Sequence, residues 1–201
     1  MSWYHRYKRM SWSEKIDRTS IAGIFHMKTE ETMEIQEIQY RIGTQEDLEE
    51  ICNLFESAID TMIQNKILQW DEIYPTKDDL QQDIDQGQLY VGIVKDRIAV
   101  VYILNRECDE QYQNGKWKNP EEPYYVVHRL CVDPVFQNQG IARQTLLHIE
   151  EQLAGWGIHA IRLDVFSENP YSQKLYAHLG YTQVGYADWR KGKFYLMEKY
   201  F

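Results

Sequence analysis

The octapeptide QNQGIARQ, residues 137–144, has the residue types and order of a phosphate cradle. It follows an apolar run closed by Asp133-Pro134 and opens a helical pattern. A helix start presents backbone N–H groups with no acceptor inside the helix and carries partial positive charge, so it draws phosphate. Gly140 lets the backbone come close to a ligand, Ala142 keeps a nearby position small, Gln137 and Gln139 add polar contacts, and Arg143 can pair with a phosphate oxygen. The same letters also describe a plain turn with one glycine. Two rival glycine patterns fail. No G-x-x-x-x-G-K-[ST] loop occurs, and GWGIHA at 155–160 follows a helix and precedes a strand, the reverse of the order a dinucleotide loop requires. Metal chemistry has no support either: there is no HExxH, and the six histidines are scattered.

The elements around this stretch follow from periodicity. IQEIQYRIG (35–43) alternates like a strand. Thr44 with Asp47 has the form of a helix cap, and Leu48, Ile51, Leu54, Phe55, Ala58, Ile59 and Met62 then recur at helical spacing, predicting a helix over 45–64. Residues 70–87 read as a loop and a short acidic helix ending at Gly87. Residues 88–105 form a hairpin turning at Lys95-Asp96, and 106–123 a long polar loop. YYVVHRLCV (124–132) is a buried strand. A helix over 140–154 shows Ala142, Leu146, Ile149 and Leu153 on one side and stops at Gly155-Trp156-Gly157. IHAIRLDVF (158–166) is a strand with Ile161, Leu163 and Val165 on one face. A helix follows from Pro170 to Leu179, with Gly180 past its end, and two strands close the chain. The order β-α-α-β-β-β-α-β-α-β-β predicts one mixed α/β domain.

Composition bounds the function. The chain has 201 residues, enough for one domain with a sizeable core, and 43% of them are hydrophobic. No apolar run approaches the roughly 18 residues of a membrane span, and no membrane partner is expected. Three widely spaced cysteines (Cys52, Cys108, Cys131) argue for buried thiols in a reducing, cytoplasmic setting. A net charge of −9 argues against nucleic acid as a partner. The first 32 residues carry six Lys/Arg and four Asp/Glu, net +2, so the remainder is −11. That negative surface favours approach of amines, and equally serves solubility. Residues 1–34 lack clear periodicity, Met27 and Met33 are alternative starts, and the globular unit is expected over 35–201 with the lead segment an extension.

Two segments together resemble one family. Gln137-x-x-Gly140-x-Ala142 resembles the [QR]-x-x-G-x-[GA] loop of the GNAT acyl-CoA N-acyltransferase superfamily. About thirty residues on, ENPYSQKLYAHLGY (168–181) resembles that family's second cofactor segment, and RLCVDP (129–134) resembles the strand before its loop. The resemblance implies a central, mostly antiparallel mixed sheet, flanked by helices, with a V-shaped split between strands 4 and 5. It implies acetyl-CoA as co-substrate and direct transfer of acetyl to a primary amine. Backbone N–H groups of Gln139, Gly140, Ile141, Ala142 and Arg143 would hold the pyrophosphate, and backbone groups of Leu130 and Val132 would pair with pantetheine. Asn169 matches an Asn that bonds the pantetheine arm, although it could simply cap the helix at Pro170. Tyr176 matches the tyrosine that protonates the departing thiolate, although a core tyrosine would read the same.

The base is less defined. One well-known family placement of a carboxylate falls on Val126, so that group is missing. His128, two residues on and on the same strand face, has a suitable pKa and could act directly or through water; it could equally be a buried histidine paired to a carbonyl. Glu121 and Glu122 are further candidates. Cys131 alternates away from Leu130 and Val132, which disfavours an acyl-enzyme. For the acceptor, Asp71, Glu72, Asp78 and Asp79 could attract an amine or form a solvated face, and Trp70 and Tyr74 could wall a pocket or fill the core. A small amine, an amino acid, an antibiotic and a protein N-terminus all stay open, as does a homodimer. The alternative function is a non-catalytic acyl-CoA-binding sensor or interaction module.

Overall fold

The computed structural model describes residues 37–201, so the expected extension over 1–34 lies outside the described residues. The observed order is β1 (Gln39–Ile42), α1 (Leu48–Gln64), α2 (Lys77–Asp85), β2 (Leu89–Val94), β3 (Arg97–Asn105), β4 (Tyr125–Val132), α3 (Ile141–Gly155), β5 (Ala160–Phe166), α4 (Pro170–His178), β6 (Thr182–Trp189) and β7 (Gly192–Tyr200). This is the element order the periodicity predicts. The predicted 45–64 helix opens as a 3-10 turn over Gln45–Asp47, where the Asp47 carboxylate accepts from the Thr44 N–H at 2.7 Å and grips Arg41 at 2.6 Å. Those two donors hold the Asp47 carboxyl down at about 2, with the Arg41 bond the larger cause. A second capping box, Thr76 with Asp79, starts α2. At the β2–β3 turn both Lys95 and Asp96 take left-handed φ, the pairing that matches strand twist in a two-residue hairpin.

The seven strands form one sheet in the order β1-β2-β3-β4-β5-β7-β6. Every pair is antiparallel except β4 with β5. On one face α1 packs Leu48, Ile51, Leu54, Phe55 and Ala58 against Leu89, Val91, Val101, Ile103 and Cys131. On the other, Leu146, Ile149 and Leu153 of α3 meet Ile161, Leu163 and Val165, the three residues predicted to share a strand face. Burying each such aliphatic side chain is worth roughly 1.5–3 kcal/mol, which is how two amphipathic layers hold an otherwise exposed sheet. The polar loop predicted over 106–123 proves to carry core residues. Tyr112 is buried in a cluster with Val126, Ala187 and Leu196, and Trp117 packs on it.

Candidate active site

The parallel pair β4–β5 is short. Tyr125, Val126 and Val127 are in register with Ile161, Arg162 and Leu163, and pairing stops there. β4 continues to Val132 along β3, and β5 continues to Phe166 along β7. The two strands therefore part, which is the V-shaped split expected between strands 4 and 5. A one-residue bulge adds to the divergence: between the pairs Val101↔Cys131 and Ile103↔His128, β3 advances two residues and β4 three. Arg129 sits in that bulge at φ 47°. The split opens into a cavity of about 1190 Å³ that runs past Leu130 and Val132, the start of α3, Asp164 and Tyr176.

At one end of this cavity Gly140 caps α3 in the left-handed conformation, φ 80° and ψ 3°. Asn138 is also left-handed at φ 60°. This alternation coils the backbone before the helix, and the first-turn N–H groups of Ile141, Ala142 and Arg143 precede any acceptor of their own helix. Gln137 and Gln139 brace the loop rather than reach into it: their side-chain amides donate to the carbonyls of Val132 at 3.2 Å and Val135 at 2.8 Å. Ile141 is buried against Phe136 and Val100, anchoring the helix start, while Arg143 is exposed. Leu130 and Val132 line the split, and Cys131 points to the α1 side. There burial pushes the Cys131 thiol far up, away from nucleophilic use. The arrangement fits a phosphate-bearing thioester: a backbone anion cradle beside an open strand edge.

Across the split stands a group that the sequence reading did not single out. Asp164 of β5 projects on the face opposite Ile161, Leu163 and Val165, into the cavity. Burial pushes its carboxyl up to about 6, against the downward pull of a 2.8 Å hydrogen bond from the Tyr112 hydroxyl; Asp109 raises it further and Arg129 lowers it. Tyr176, on α4, lines the same cavity and is nearly buried beside Tyr181. Its pKa is well above the ordinary 10, first through burial and then through the negative charge of Asp164. Asn169 caps α4 through Oδ1, accepting from the Ser172 N–H at 3.1 Å, and its amide donates to Gln69 at 3.2 Å.

His128 also reaches the cavity, with a different character. Its Nε2 lies 3.1 Å from Asn105 Oδ1 and 3.0 Å from the Glu107 carbonyl. Both are acceptors, so Nε2 carries the proton and ties β4 to the end of β3. Burial, with the Arg129 charge second, pushes its pKa down to about 4. Glu121 and Glu122 are exposed, off the cavity wall. Elsewhere on the cavity wall Arg129 donates to the Tyr74 hydroxyl at 2.6 Å and pairs with the Asp83 carboxylate. Trp70 lines the cavity while packing on Phe55 in the core, so it both walls and fills. Asp71 is engaged by Arg190 and Lys191, and Asp79 by the α2 cap, so neither is a ready partner for an incoming amine.

Known proteins share this architecture. The acetyltransferase (GNAT) family model matches residues 54–181. A [ribosomal protein bS18]-alanine N-acetyltransferase of Haemophilus ducreyi is 42% identical over 59 residues, which cover 29% of this chain and 41% of that protein. The chain thus spans less than half of that relative. A GNAT-family acetyltransferase structure from Streptococcus agalactiae superposes with a TM-score of 0.75 at 26% identity, covering 83% of this chain and 97% of the other. The PaiA N-acetyltransferase of Thermoplasma acidophilum, solved in complex with coenzyme A, shares the fold at a TM-score of 0.61 and 18% identity, with 82% and 99% covered. The family model reaches from within α1 to the residue before β6, across the whole of the split, and the chain belongs to the GNAT acetyltransferase family.

Proposed function

We propose that this chain transfers an acetyl group from acetyl-CoA directly to a primary amine, and that the α-amine of a polypeptide N-terminus is the acceptor to test first. One observation carries the reading: a poised carboxylate, Asp164, and a protonated phenol, Tyr176, line one cavity on the split that also ends at the α3 cradle. A sensor that only held acyl-CoA would need the cradle but not this pair. The choice of acceptor is supported by the Haemophilus relative, named for an alanine N-acetyltransferase. The coenzyme A bound by the Thermoplasma protein supports the same ligand here.

Each residue then has a task. The coiled backbone at Asn138–Gly140 and the N–H groups opening α3 hold the pyrophosphate, with Arg143 at its edge. Leu130 and Val132 offer strand-edge backbone to the pantetheine arm, and Asn169 sits where that arm would pass. Asp164 accepts the ammonium proton. A carboxyl near 6 is largely ionised at neutral pH yet far more basic than an ordinary aspartate, the compromise that general-base catalysis favours. Tyr176 keeps its proton until the thiolate leaves and then donates it. The two steps assist each other: Asp164's negative charge raises the Tyr176 pKa, so protonating Asp164 makes Tyr176 a stronger acid when the donor is needed. His128 holds the end of β3 and is a poor base, since its pKa is near 4 and Nε2–H is committed.

The test separates Asp164 from His128. Thiol release from acetyl-CoA is followed against pH with an N-terminal peptide acceptor. Asp164→Asn is expected to lower kcat by about 10²-fold or more, on the usual scale of acid–base catalysis, with coenzyme A affinity kept. His128→Gln is expected to retain the acidic limb. Loss of that limb in His128→Gln, with Asp164→Asn active, would return the base to His128.

A further inference from the structure

The segment between β3 and β4 is held by its backbone. The Lys116 N–H donates to the Val184 carbonyl at 2.9 Å, the Lys118 N–H to the Glu198 carboxylate at 3.0 Å, and the Asn119 N–H to the Tyr200 hydroxyl at 2.9 Å. These bonds fasten it across β6 and β7, the strands beyond β5. Contact is close at one place. A Cβ added to Gly185 would stand 2.6 Å from the Asn114 carbonyl oxygen and 3.0 Å from the Gly115 Cα, so only glycine lets β6 and the segment meet. Within the segment a 3-10 turn, Glu110–Asn114, carries Tyr112. Trp117 stacks on the Tyr112 ring at 5.8 Å and its indole donates to the Tyr112 carbonyl at 2.8 Å; Trp189 of β6 packs on the ring at 6.3 Å. The outcome is a buried phenol whose hydroxyl donates to Asp164 Oδ1 at 2.8 Å.

We propose that residues 106–123 form a clasp, docked on β6 and β7, whose Tyr112 is the positioning residue that orients the Asp164 carboxylate and limits its basicity. The inference rests on Asp164 being the base. Tyr112 suits the task because burial raises its own pKa well above the ordinary 10, so it remains a donor throughout the working range. The other titratable and charged groups that interact with Asp164 are Asp109 of the clasp, Tyr74 from the segment between α1 and α2, Arg129 of β4 and Tyr176 of α4. Arg129 is largely committed to Asp83 and Tyr74, and Tyr176 is neutral. Tyr112 is thus the direct hydrogen-bond donor to Asp164 among the described side chains, and it is supplied by a segment remote in sequence from β5.

The experiment measures kcat/KM against pH for the wild type, Tyr112→Phe and Gly185→Ala. In parallel, carbon NMR titration of labelled aspartate carboxyls is assigned with Asp164→Asn. Removing one hydrogen bond to a carboxylate should move the acidic limb and the Asp164 titration upward together, by about one pH unit. Gly185→Ala lies away from the cavity and should move both in the same direction by less, because it displaces the clasp rather than deleting the donor. Thermal unfolding checks that each variant is folded. A titration unchanged in Tyr112→Phe would overturn the proposal. So would a Gly185→Ala that loses thermal stability while the limb and titration stay in place, since that is what a purely structural loop would give. If Asp164→Asn keeps the wild-type limb, the base assignment fails by itself, and the NMR titration still decides whether Tyr112 sets the carboxyl.

Discussion

Replacing Asp164 with asparagine should stabilise the protein while disabling it, and the sign of the pH dependence is fixed by the site. The carboxyl titrates at the ordinary 3.8 when unfolded and at about 6 when folded, burial being the main cause. Below 3.8 both states hold the proton, and the carboxylic acid and the amide are near isosteres. As pH rises from 3.8 to 6 the unfolded chain ionises first, so the wild type loses stability; above 6 the deficit is constant. Two pKa steps correspond to about 3 kcal/mol. Part of this is offset because an amide must find a partner for its own N–H donors, a cost of about 1–2 kcal/mol when one stays unpaired. The net gain for Asp164→Asn at pH 8 is therefore about 1–3 kcal/mol, or about 2–10 °C in melting temperature for a chain of this size. Circular dichroism melts of both proteins at pH 4, 6 and 8 would measure it. Because the amide offset does not change with pH, the difference should be zero or slightly unfavourable to the variant at pH 4, rise in its favour through pH 6 and level by pH 8. A variant less stable than the wild type at pH 8, or a difference independent of pH, would refute the desolvated carboxylate and with it the raised basicity on which the mechanism depends.

Two further outcomes follow from the same site. Tyr176→Phe keeps the packing against Tyr181 and removes the proton, so kcat should fall by roughly 10²-fold, the scale of general-acid catalysis, while coenzyme A affinity measured by calorimetry stays; full activity would leave Tyr176 a packing residue. Gly140→Glu places a side chain at φ 80° and a negative charge at the α3 cradle, so coenzyme A binding should be abolished in a folded protein, and unchanged affinity would remove the phosphate from that loop.

Much of the architecture was legible because local and tertiary preferences agree. Ile161, Leu163 and Val165 alternate in sequence and share a buried face, and Leu146, Ile149 and Leu153 recur at helical spacing and meet them. Gly140 between two polar runs marked the start of a helix, and the structure adds that it caps α3 in the left-handed conformation. The bulge at Arg129 was not legible. Arginine has no preference for φ 47°, and what holds it there is the bond from its guanidinium to Tyr74 and its ion pair with Asp83, 55 and 46 residues earlier in the chain. The 106–123 segment misled for a related reason: its letters are mostly polar, and only the sheet's outer strands reveal that Tyr112 and Trp117 are core residues.

Asp164 shows where such reading stops. One signal was available: an acidic side chain at the centre of IRLDVF, a strand with apolar neighbours on both sides. Alternation alone places that carboxylate on the face opposite Ile161, Leu163 and Val165, which in a sheet edge or a one-sided sheet would be solvent. In this chain that face is covered by groups brought from distant parts of the chain. Arg129 arrives with the β4 bulge and Tyr112 with a segment anchored on β6 and β7, while Tyr176 of α4, packed in the cluster of Ile161, Leu163 and Val165, lines the same cavity from the other side. No window of sequence contains all of these, and removing any one changes the carboxyl's environment. The residue types alone would make Asp164 an ordinary acid near 3.8; the parting of β4 from β5, which both buries it and leaves it reachable, raises it to about 6. The basicity thus belongs to the topology. A carboxylate on a continuous β4–β5 ladder would be sealed from an amine, and one on an open edge would keep its ordinary pKa. The short parallel pairing of three residues is what avoids both.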